Sequence, residues 1–476
     1  MNETSQPVEL LLSVSRDSPT TLGVQIEDQL RRAIRGGALR PSAQVPSTRD
    51  LARQLGVSRR VVVDAYAQLA AEGYLHLRQG ARPAVSHTVN AGPAPTPAQK
   101  PAIPQASAPP PARYDFRPST PDLALFPRAA WLRSVREALG GMTAADLGYG
   151  DPRGAQELRV ALADYLGRTR GVLADPEQIL ITSGYLQGFG LVCRALAQRG
   201  AQRIAVESPS NPEDRSVAAR AGLVSVPIRV DGFGIPADEV SRADVDAVVV
   251  TPAHQNPTGV VLSGERRTEL LDWLRHRSAV AIEDDYDAEY RYDRSAIGAL
   301  QSLDPERVIY AGSTSKTLAP ALRLGWLVVP PELLDRVRDE KLLADRGSAS
   351  IEQRALANFI ARGELDRHMR RMRAHYRRRR DALVEAVADA LPDAGVTGIA
   401  AGLQVTVTLS DGHDEIAIRD QARERRIALD TLSDFGLAAE GRAAALVLGY
   451  GQMPEDTVRA GIRQLAEVIR SAPQQQ

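Results

Sequence analysis

A chain of 476 residues is too long for one hydrophobic core of ordinary size, so its length predicts two or more domains. Lysine plus arginine and aspartate plus glutamate both number 59, so overall charge gives no support for nucleic-acid binding, which would need a local basic surface. The single cysteine, Cys193, lies in an apolar stretch and excludes a disulfide within one chain. We expect a cytoplasmic protein with no membrane partner, because the chain shows neither a leader pattern nor an apolar run that could span a bilayer.

Residues 18–89 follow the pattern of three helices and two short strands. The first predicted helix ends at Gly36-Gly37, the second begins after Ser47, and the third begins after Ser58, with both serines as N-caps. Alternation over residues 73–77 predicts a strand, and Val85 lies on a returning strand. This order is typical of a winged helix-turn-helix, whose third helix enters the major groove of DNA.

The start of the third helix carries the chemistry that this interpretation needs. Ser58, Arg59 and Arg60 place a hydroxyl and two guanidinium groups at its N-terminus, where they suit phosphates and guanine edges. Arg49 on the second helix is placed for a phosphate. Taken alone, such a cluster is more often a solvated helix face.

The longer string from Val45 to Leu75, VPSTRDLARQLGVSRRVVVDAYAQLAAEGYL, closely resembles the DNA-binding domain of the GntR family. The resemblance implies a double-stranded DNA operator as partner. It also implies DNA contacts at Arg49, Ser58, Arg59, Arg60, Gln79 and Gly80. The wing is the segment between the two predicted strands, and its sequence differs from that of many relatives. Residues 81–85 read ARPAV, where a Gly-Thr-aromatic-Val ending is common.

Residues 90–113 are rich in proline and alanine and predict a linker, because they offer few large apolar groups to bury. From residue 114 to 476, strand-like and helix-like segments alternate, which predicts an α/β fold with a mainly parallel sheet. We expect a large subdomain over about 140–335 and a smaller C-terminal α+β subdomain over about 340–470. Apolar strands are predicted at 178–182, 203–207, 247–251, 280–283 and 308–311, and in the smaller region at 404–409 and 444–448.

Three polar motifs follow successive predicted strands. Lys316 comes after Ser313 and Ser315 and is followed by Arg323, which is a pattern for an amine that bonds an aldehyde beside a phosphate. Asp284 ends another strand, and Asn256 begins the string NPTG after a third. Each motif alone is explained by a cap, a turn or a surface lysine, but their order at the ends of strands favours one ligand site.

Together these motifs resemble the fold-type I aminotransferases over about residues 114–470. The resemblance implies pyridoxal 5'-phosphate as the cofactor, with Lys316 as its Schiff-base lysine, Asp284 at the pyridine nitrogen, and Asn256 and Tyr286 at the phenolic oxygen. It assigns the phosphate to Ser313, Ser315, Arg323 and the turn formed by Gly184, Tyr185 and Leu186. It also implies that Tyr149 reaches the phosphate of the neighbouring subunit, so the sites require a homodimer. No metal site is predicted.

A GntR-like head joined to an aminotransferase-like body defines the MocR/GabR family, which the string from Gly363 to Arg380 also resembles. The arginines of that string are interpreted as a solvated or subunit-facing helix, with a secondary DNA contact as the alternative. Two departures weaken the case for amino-acid turnover. Asn211 stands where an aromatic residue is usual, and Val447 stands where transaminases carry an arginine for the substrate carboxylate, with nearby Arg442 as a substitute that we do not favour.

The favoured hypothesis is a dimeric, sequence-specific transcriptional regulator that depends on pyridoxal phosphate. Its body would sense pyridoxal phosphate itself or a small amino compound, in the control of vitamin B6 or amino-acid metabolism. The competing hypothesis is an active aminotransferase with a DNA-binding appendage. The sequence favours a sensor over an enzyme and leaves residual transaminase activity open.

Overall fold

The computed structural model describes residues 11–87, 112–287, 289–292, 297–398, 400–410, 412–437 and 442–472. The chain divides into two compact units, residues 1–109 and residues 110–476, which we call the head and the body. The predicted linker, residues 90–113, lies outside the described residues except for its last two. Within the described ranges, no helix is both long and apolar enough to cross a membrane.

The head contains three helices and a two-stranded antiparallel sheet, as the sequence predicts. Its elements are α1 (Leu22–Arg35), α2 (Thr48–Leu55), α3 (Arg59–Ala71), β1 (Leu75–His76) and β2 (Ala84–Val85). The three helices and the hairpin bury one apolar core, which includes Ile26, Leu30, Ile34, Leu51, Val62, Tyr66, Leu69, Leu75 and Val85. This core fixes α3 against α2 and leaves the start of α3 at the surface.

The two predicted N-caps of the head behave differently. The Ser47 side chain accepts a hydrogen bond from the Asp50 amide at 3.3 Å, so it caps α2. Gly56 then adopts a left-handed conformation at φ 63°, which ends α2 and starts the turn to α3. Ser58 occupies the N-cap position of α3, but its side chain makes no capping hydrogen bond. Its hydroxyl and the first amides of α3 therefore remain available to a ligand.

The body begins with β3 (Tyr114–Asp115), α4 (Arg128–Gly141) and α5 (Gln156–Arg170). A seven-stranded sheet follows, in the spatial order β4-β10-β9-β8-β7-β5-β6. Its strands are β4 (Ile179–Thr182), β5 (Arg203–Ser208), β6 (Val224–Arg229), β7 (Ala247–Val250), β8 (Val280–Asp284), β9 (Val308–Ser313) and β10 (Gly325–Val328). β10 runs antiparallel to both of its neighbours, whereas the pairs from β9 to β6 are parallel.

Helices cover both faces of this sheet. They are α6 (Tyr185–Gln198), α7 (Pro212–Arg220), α8 (Ala237–Arg242), α9 (Gly264–Arg277), α11 (Pro331–Asp345) and α12 (Ser350–Ala361), whereas the short α10 (Thr314–Thr317) directly follows the end of β9. Successive strand residues point to opposite faces, so Val249 packs into the core on one side and Val248 into the core on the other. Burial on both faces explains why these strands read as continuous apolar runs.

The smaller C-terminal region starts with the long helix α13 (Glu364–Ala390). It continues through β11 (Gly395–Thr397), β12 (Gln404–Thr408), α14 (Glu415–Glu424), β13 (Ile427–Ala428), β14 (Asp430–Thr431), β15 (Ala445–Gly449) and α15 (Glu455–Ser471). A four-stranded antiparallel sheet has the order β11-β12-β15-β14, and β13 pairs with β3. The body therefore has the expected large α/β and small α+β parts.

Candidate functional site

A cavity of about 400 Å³ opens at the carboxyl ends of the parallel strands. Nine of the residues predicted from the sequence line it: Tyr185, Leu186, Asn256, Asp284, Tyr286, Ser313, Ser315, Lys316 and Arg323. The residues come from turns that follow β4, β7, β8 and β9, which are far apart in sequence and meet at one edge of the sheet. The fold thus brings the three polar motifs together.

Lys316 lies on α10, directly after β9, and its side chain faces this cavity. Its amine makes no hydrogen bond or ion pair within the described part of the chain. Burial lowers the pKa of Lys316, while the negative charges of Asp287 and Asp284 oppose that shift. A lowered pKa raises the fraction of neutral amine, which is the form that attacks an aldehyde.

Asp284 ends β8 and lines the same cavity without a hydrogen-bond donor among the described residues. Burial raises its pKa well above the ordinary range, with a further contribution from the neighbouring carboxyl of Asp214, and Lys316 acts in the opposite direction. A buried carboxylate without a donor needs a cationic or N–H partner. The nitrogen of a pyridine ring would supply one, so the site fits such a group.

The other end of the cavity is built for an anion. Arg323 adopts a left-handed backbone at φ 51° and donates to the carbonyl oxygen of Ser183. Gly184, at φ 100°, precedes α6, and a Cβ there would lie 3.1 Å from the Arg323 guanidinium. Gly325 allows β10 to approach the same turn, since its Cβ would lie 2.8 Å from the Gly184 Cα. Gly184 therefore makes room for the guanidinium beside the N-terminus of α6, where backbone amides favour a phosphate, and Gly325 makes room for the turn itself.

Sequence reasoning missed a buried trio beside Tyr286. The Nδ1 atom of His254 lies 3.0 Å from the Tyr286 hydroxyl and 3.1 Å from a carboxylate oxygen of Asp287. The ring needs Gly402, because a Cβ at that position would collide with it. His254 thus positions the Tyr286 phenol, and the signal available in the sequence was a histidine two residues before Asn256.

An aromatic ring reaches the cavity from an unpredicted place. Asn211, which stands where an aromatic residue is usual, lines the cavity and accepts a hydrogen bond from the Glu213 amide as the N-cap of α7. Phe435 from the smaller region lines the same cavity, and its carbonyl oxygen accepts a hydrogen bond from the Ser210 amide at 3.1 Å. Only tertiary packing brings Phe435 to this place.

Arg442, the nearby arginine that could replace the substrate-binding arginine of transaminases, binds a carboxylate outside the cavity. Val447 is fully buried in the sheet of the smaller region. Arg442 forms two hydrogen bonds of 2.7 Å with the carboxylate of Glu415, which is itself buried. Among the described residues that line the cavity, Arg323 is the one arginine.

Tyr149 lies apart from the Lys316 cavity of its own chain. Its side chain is 86% exposed and lines a second cavity of about 660 Å³. The Arg346 guanidinium lies 5.1 Å from the centre of its ring. An exposed tyrosine in this position is available to a second subunit.

The predicted DNA contacts of the head are all exposed: Arg49, Ser58, Arg59, Arg60, Gln79 and Gly80. Arg59 lies 3.5 Å from the Thr48 hydroxyl, so the starts of α2 and α3 lie side by side. The wing turn at Gly80 has a positive φ of 80°. Sequence reasoning missed Arg78 and Arg82, two exposed arginines that flank this turn.

Comparison with known proteins gives the same division of the chain. Residues 124–447 match the family of aminotransferases of classes I and II, and residues 22–85 match the bacterial regulatory proteins of the gntR family. The HTH-type pyridoxine biosynthesis transcriptional regulator PdxR of Corynebacterium glutamicum is 32% identical over 467 residues, which cover 97% of this chain and 99% of that protein. The probable rhizopine catabolism regulatory protein MocR of Rhizobium meliloti is 31% identical and covers 96% and 95%.

An archaeal alanine:glyoxylate aminotransferase has a similar structure, with a TM-score of 0.69 at 26% identity over 75% of this chain and 90% of that one. The chain therefore belongs to the MocR- and PdxR-type HTH transcriptional regulators, which join a GntR head to a class I and II aminotransferase body. The cofactor of this fold family is pyridoxal 5'-phosphate, and the GntR head binds DNA.

Proposed function

We propose that this regulator acts as a homodimer which reads an operator through its two heads and senses pyridoxal phosphate, or a small amino compound, through its bodies. The observation that carries the proposal is the Lys316 cavity, because the lysine amine, the carboxyl of Asp284 and the guanidinium of Arg323 all line it. The same chain presents an exposed cationic helix start in its head. Because its partner is genomic DNA, we place the protein in the cytoplasm.

Pyridoxal phosphate supplies an aldehyde and an electron-withdrawing ring. Lys316 would hold the cofactor through a bond from its amine to the aldehyde carbon, with release of water, and Asp284 would accept a hydrogen bond from the protonated ring nitrogen. Asn256 and Tyr286 bind the phenolic oxygen, and His254 holds the Tyr286 hydroxyl at 3.0 Å. The phosphate is held by the anion pocket, formed by Gly184, Tyr185, Leu186, Ser313, Ser315 and Arg323.

The arrangement of arginines favours a sensor over an enzyme. A transaminase holds the carboxylate of its amino-acid substrate, and a planar guanidinium is the group that binds a carboxylate with two hydrogen bonds. Here Arg323 belongs to the anion pocket, and Arg442 is bound to Glu415. Pyridoxal phosphate itself, or an amino compound without a carboxylate, therefore suits the cavity as effector, and control of vitamin B6 metabolism follows as the proposed role.

Two further arguments support the proposed homodimer. Tyr149 is exposed and lies away from the Lys316 cavity of its own chain, so we propose that it completes the phosphate site of the partner. Two heads related by a twofold axis would read two half-sites of a palindromic operator. The effector shifts this system only if it binds one arrangement of the dimer more tightly than another.

The test is a visible absorbance titration of the full chain with pyridoxal phosphate. The wild-type protein is expected to develop a visible band and to yield a covalent adduct after borohydride reduction. Lys316→Ala is expected to lose both. Lys316→Arg is the matched control, since it keeps the positive charge and lacks an amine that can bond the aldehyde. A band of equal strength in all three proteins would sink the assignment of Lys316.

The sensing step is tested by DNA binding to the region upstream of candidate vitamin B6 genes, with and without pyridoxal phosphate. A change in operator affinity in the wild type that is lost in Lys316→Ala supports the sensor. The alternative, an aminotransferase with a DNA-binding appendage, rests on the complete set of cofactor residues. Steady turnover of any amino-acid and keto-acid pair would favour that alternative.

A further inference from the structure

The solvent-facing side of α13 carries an unusual run of positive charge. Between residues 364 and 380 the helix has eight arginines and two carboxylates, in a chain with no net charge. Five of these arginines are exposed and recur at spacings of three, four and seven residues, which place them on one helix face. We call this the α13 arginine face: Arg367, Arg370, Arg371, Arg377 and Arg378.

Two of these five guanidinium groups are oriented by backbone carbonyl oxygens and have no carboxylate partner among the described residues. Arg371 donates to the Leu125 carbonyl oxygen at 3.4 Å, and Arg377 donates to the Tyr292 carbonyl oxygen at 2.9 Å. Carbonyl oxygens orient a guanidinium and leave its full charge in place. Within the described residues Arg370 has no ion pair or hydrogen bond.

Carboxylates compensate the face only in part. Arg367 lies 3.2 Å from Glu364, and Arg378 lies 3.2 Å from Glu455, but more than half of each of these arginine side chains is exposed. Such exposed pairs hold little interaction energy and yield readily to a stronger anion. Arg128, which donates to the Ala124 carbonyl oxygen at 3.1 Å, adds a further exposed cation beside Leu125.

Two histidines on α13 report the positive potential of this face. The pKa of His375 is lowered by burial and by the charges of Arg378, Arg379 and Arg371, with Glu455 opposing them. Burial, together with the charge of Arg371, lowers the pKa of His368 to about 4, while a hydrogen bond to the Thr317 carbonyl oxygen opposes that shift. Both rings accept hydrogen bonds from arginines, as neutral histidines do. Neither adds charge of its own.

We propose that the α13 arginine face is a second DNA-contact surface, which binds the phosphate backbone of double-stranded DNA. The proposal rests on DNA binding by the head and goes beyond it. From Arg367 to Arg378 the helix extends about 16 Å, which matches about five successive phosphates of one strand along the duplex axis. A line of exposed arginines held by carbonyl oxygens suits a polyanion of this length better than it suits one small anion.

The face contributes affinity and orientation rather than base specificity. Phosphate contacts of arginine are independent of sequence and release bound counterions, so each of them makes DNA binding more dependent on salt. Arg371 also donates to His368, whose other ring nitrogen lies 3.0 Å from the Thr317 carbonyl oxygen, next to Lys316. Arg371 is therefore left intact in the test, so that the cofactor site is undisturbed.

The test compares two triple variants of the full-length protein with pyridoxal phosphate present. Arg367→Gln, Arg370→Gln and Arg378→Gln together remove three charges from the α13 arginine face. Arg220→Gln, Arg423→Gln and Arg425→Gln remove three charges from exposed arginines on α7 and at the end of α14, as the matched control. Binding to a fluorescent duplex of about 60 base pairs with arbitrary sequence is followed by anisotropy from about 0.05 to 0.3 M KCl.

We expect the α13 variant to lose between two and three units, roughly, from the slope of log K against log salt, and at least about tenfold in affinity at low salt. The control variant is expected to keep the wild-type slope. An unchanged slope in the α13 variant, or an equal loss in the control, overturns the proposal.

A change of molar mass in the α13 variant, measured by light scattering, would also overturn the proposal. Such a change would show that the α13 arginine face binds a second copy of this chain and not DNA. A separate variant tests whether the head binds DNA as proposed. Arg59→Gln with Arg60→Gln, measured on the same duplex, reports on the head alone. If that head variant binds like the wild type while the α13 variant does not, the head assignment fails and the α13 assignment stands.

Discussion

The head and the Lys316 cavity of the body use positive charge in opposite ways. The predicted DNA-contact residues of the head are exposed, and Arg60 has only a loose pair with Asp64 at 3.8 Å, with more than two thirds of both side chains exposed. In the body, Lys316 and Asp284 are withdrawn from water, and burial is the main cause of the shift in the pKa of each. An exposed cation stays charged and screened by salt, whereas a buried one depends on its neighbours for its protonation state.

This difference follows from the two ligands. DNA brings a line of charges that a solvated surface can meet without burying any group, so its binding is strong at low salt and weak at high salt. A small cofactor must be held on all sides, so the polar groups that bind it are buried. Burial of such a group costs free energy unless the ligand provides it with a hydrogen bond or an opposite charge. The head and the Lys316 cavity should therefore respond differently to pH, to salt and to the loss of one side chain.

The largest expected effect concerns pH and the body alone. Burial raises the pKa of Glu207 to about 7, although Thr251 and Gln255 donate hydrogen bonds to its carboxylate. An unfolded glutamate titrates near about 4.3. Between these values the folded body holds a proton that the unfolded chain has released, so the free energy of unfolding falls as pH rises through this window.

Glu207→Gln is expected to remove this part of the pH dependence and to stabilise the body at pH above about 7, by up to about 3 kcal/mol. Urea unfolding of the full chain at several pH values, followed for the transition of the body, measures the free energy of unfolding. Burial also raises the pKa values of Asp214 and Glu283 to about 7, so these two residues keep part of the dependence of the free energy of unfolding on pH. Glu265→Gln, at an exposed site on α9, is the control, and equal curves for both variants would contradict the expectation.

Salt provides the next test of the comparison. Arg59→Gln with Arg60→Gln is expected to lower the DNA affinity about 50-fold at about 0.1 M salt and to reduce the salt slope by about two, because two phosphate or base contacts are lost. Fluorescence anisotropy with operator DNA measures both. The affinity for pyridoxal phosphate should stay unchanged, and a parallel loss of cofactor affinity would break the separation of the two sites.

The anion pocket of the body provides a smaller effect. Gly184→Ala would place a methyl group 3.1 Å from the Arg323 guanidinium, at a backbone φ of 100°. We expect about a tenfold loss of affinity for pyridoxal phosphate, since displacement of a charged donor costs roughly 1.5 kcal/mol. Absorbance titration measures this loss.

Gly171→Ala separates the loss of the anion pocket from backbone strain. Gly171 also has a positive φ, of 70°, but a Cβ there would meet no atom within 4 Å. Gly171→Ala is expected to lose about 1–2 kcal/mol of stability through strain, and Gly184→Ala is expected to lose more, because Gly184 has φ 100° and ψ 173°, a conformation that is essentially restricted to glycine. Only Gly184→Ala should weaken the binding of the cofactor. Similar cofactor affinities in the two variants would show that Arg323 does not depend on the glycine.

The sequence predicted most reliably what is local. The string around Ser58 to Arg60 and the motif that ends at Lys316 are contiguous, and strand ends of a parallel sheet meet at one edge, so both candidate sites could be predicted from the order of their motifs. The antiparallel strand β10 was missed, because four buried residues between two turns show no periodicity. The edge strand β6 was missed because Val224 is exposed and Pro227 interrupts its apolar pattern.

The parts of the site that could not be predicted depend on packing between distant segments. Phe435 reaches the cavity because the smaller region folds against the sheet, and no local pattern marks it. Arg442 was considered for a substrate carboxylate because it is near Val447 in sequence, but the buried carboxylate of Glu415 binds it. The proposed role of Tyr149 depends on a second subunit and stays a prediction.

The smallest expected effect separates folding from binding inside the head. Ser47 and Ser58 stand at the starts of neighbouring helices, but only the Ser47 side chain accepts a hydrogen bond from its helix. Ser47→Ala is expected to cost about 1 kcal/mol of head stability, because the Asp50 amide loses its acceptor. Ser58→Ala should leave the thermal midpoint nearly unchanged and weaken DNA binding several-fold, since the hydroxyl is free for a phosphate. If Ser58→Ala instead destabilises the head as much as Ser47→Ala, the hydroxyl caps α3 and is not reserved for DNA.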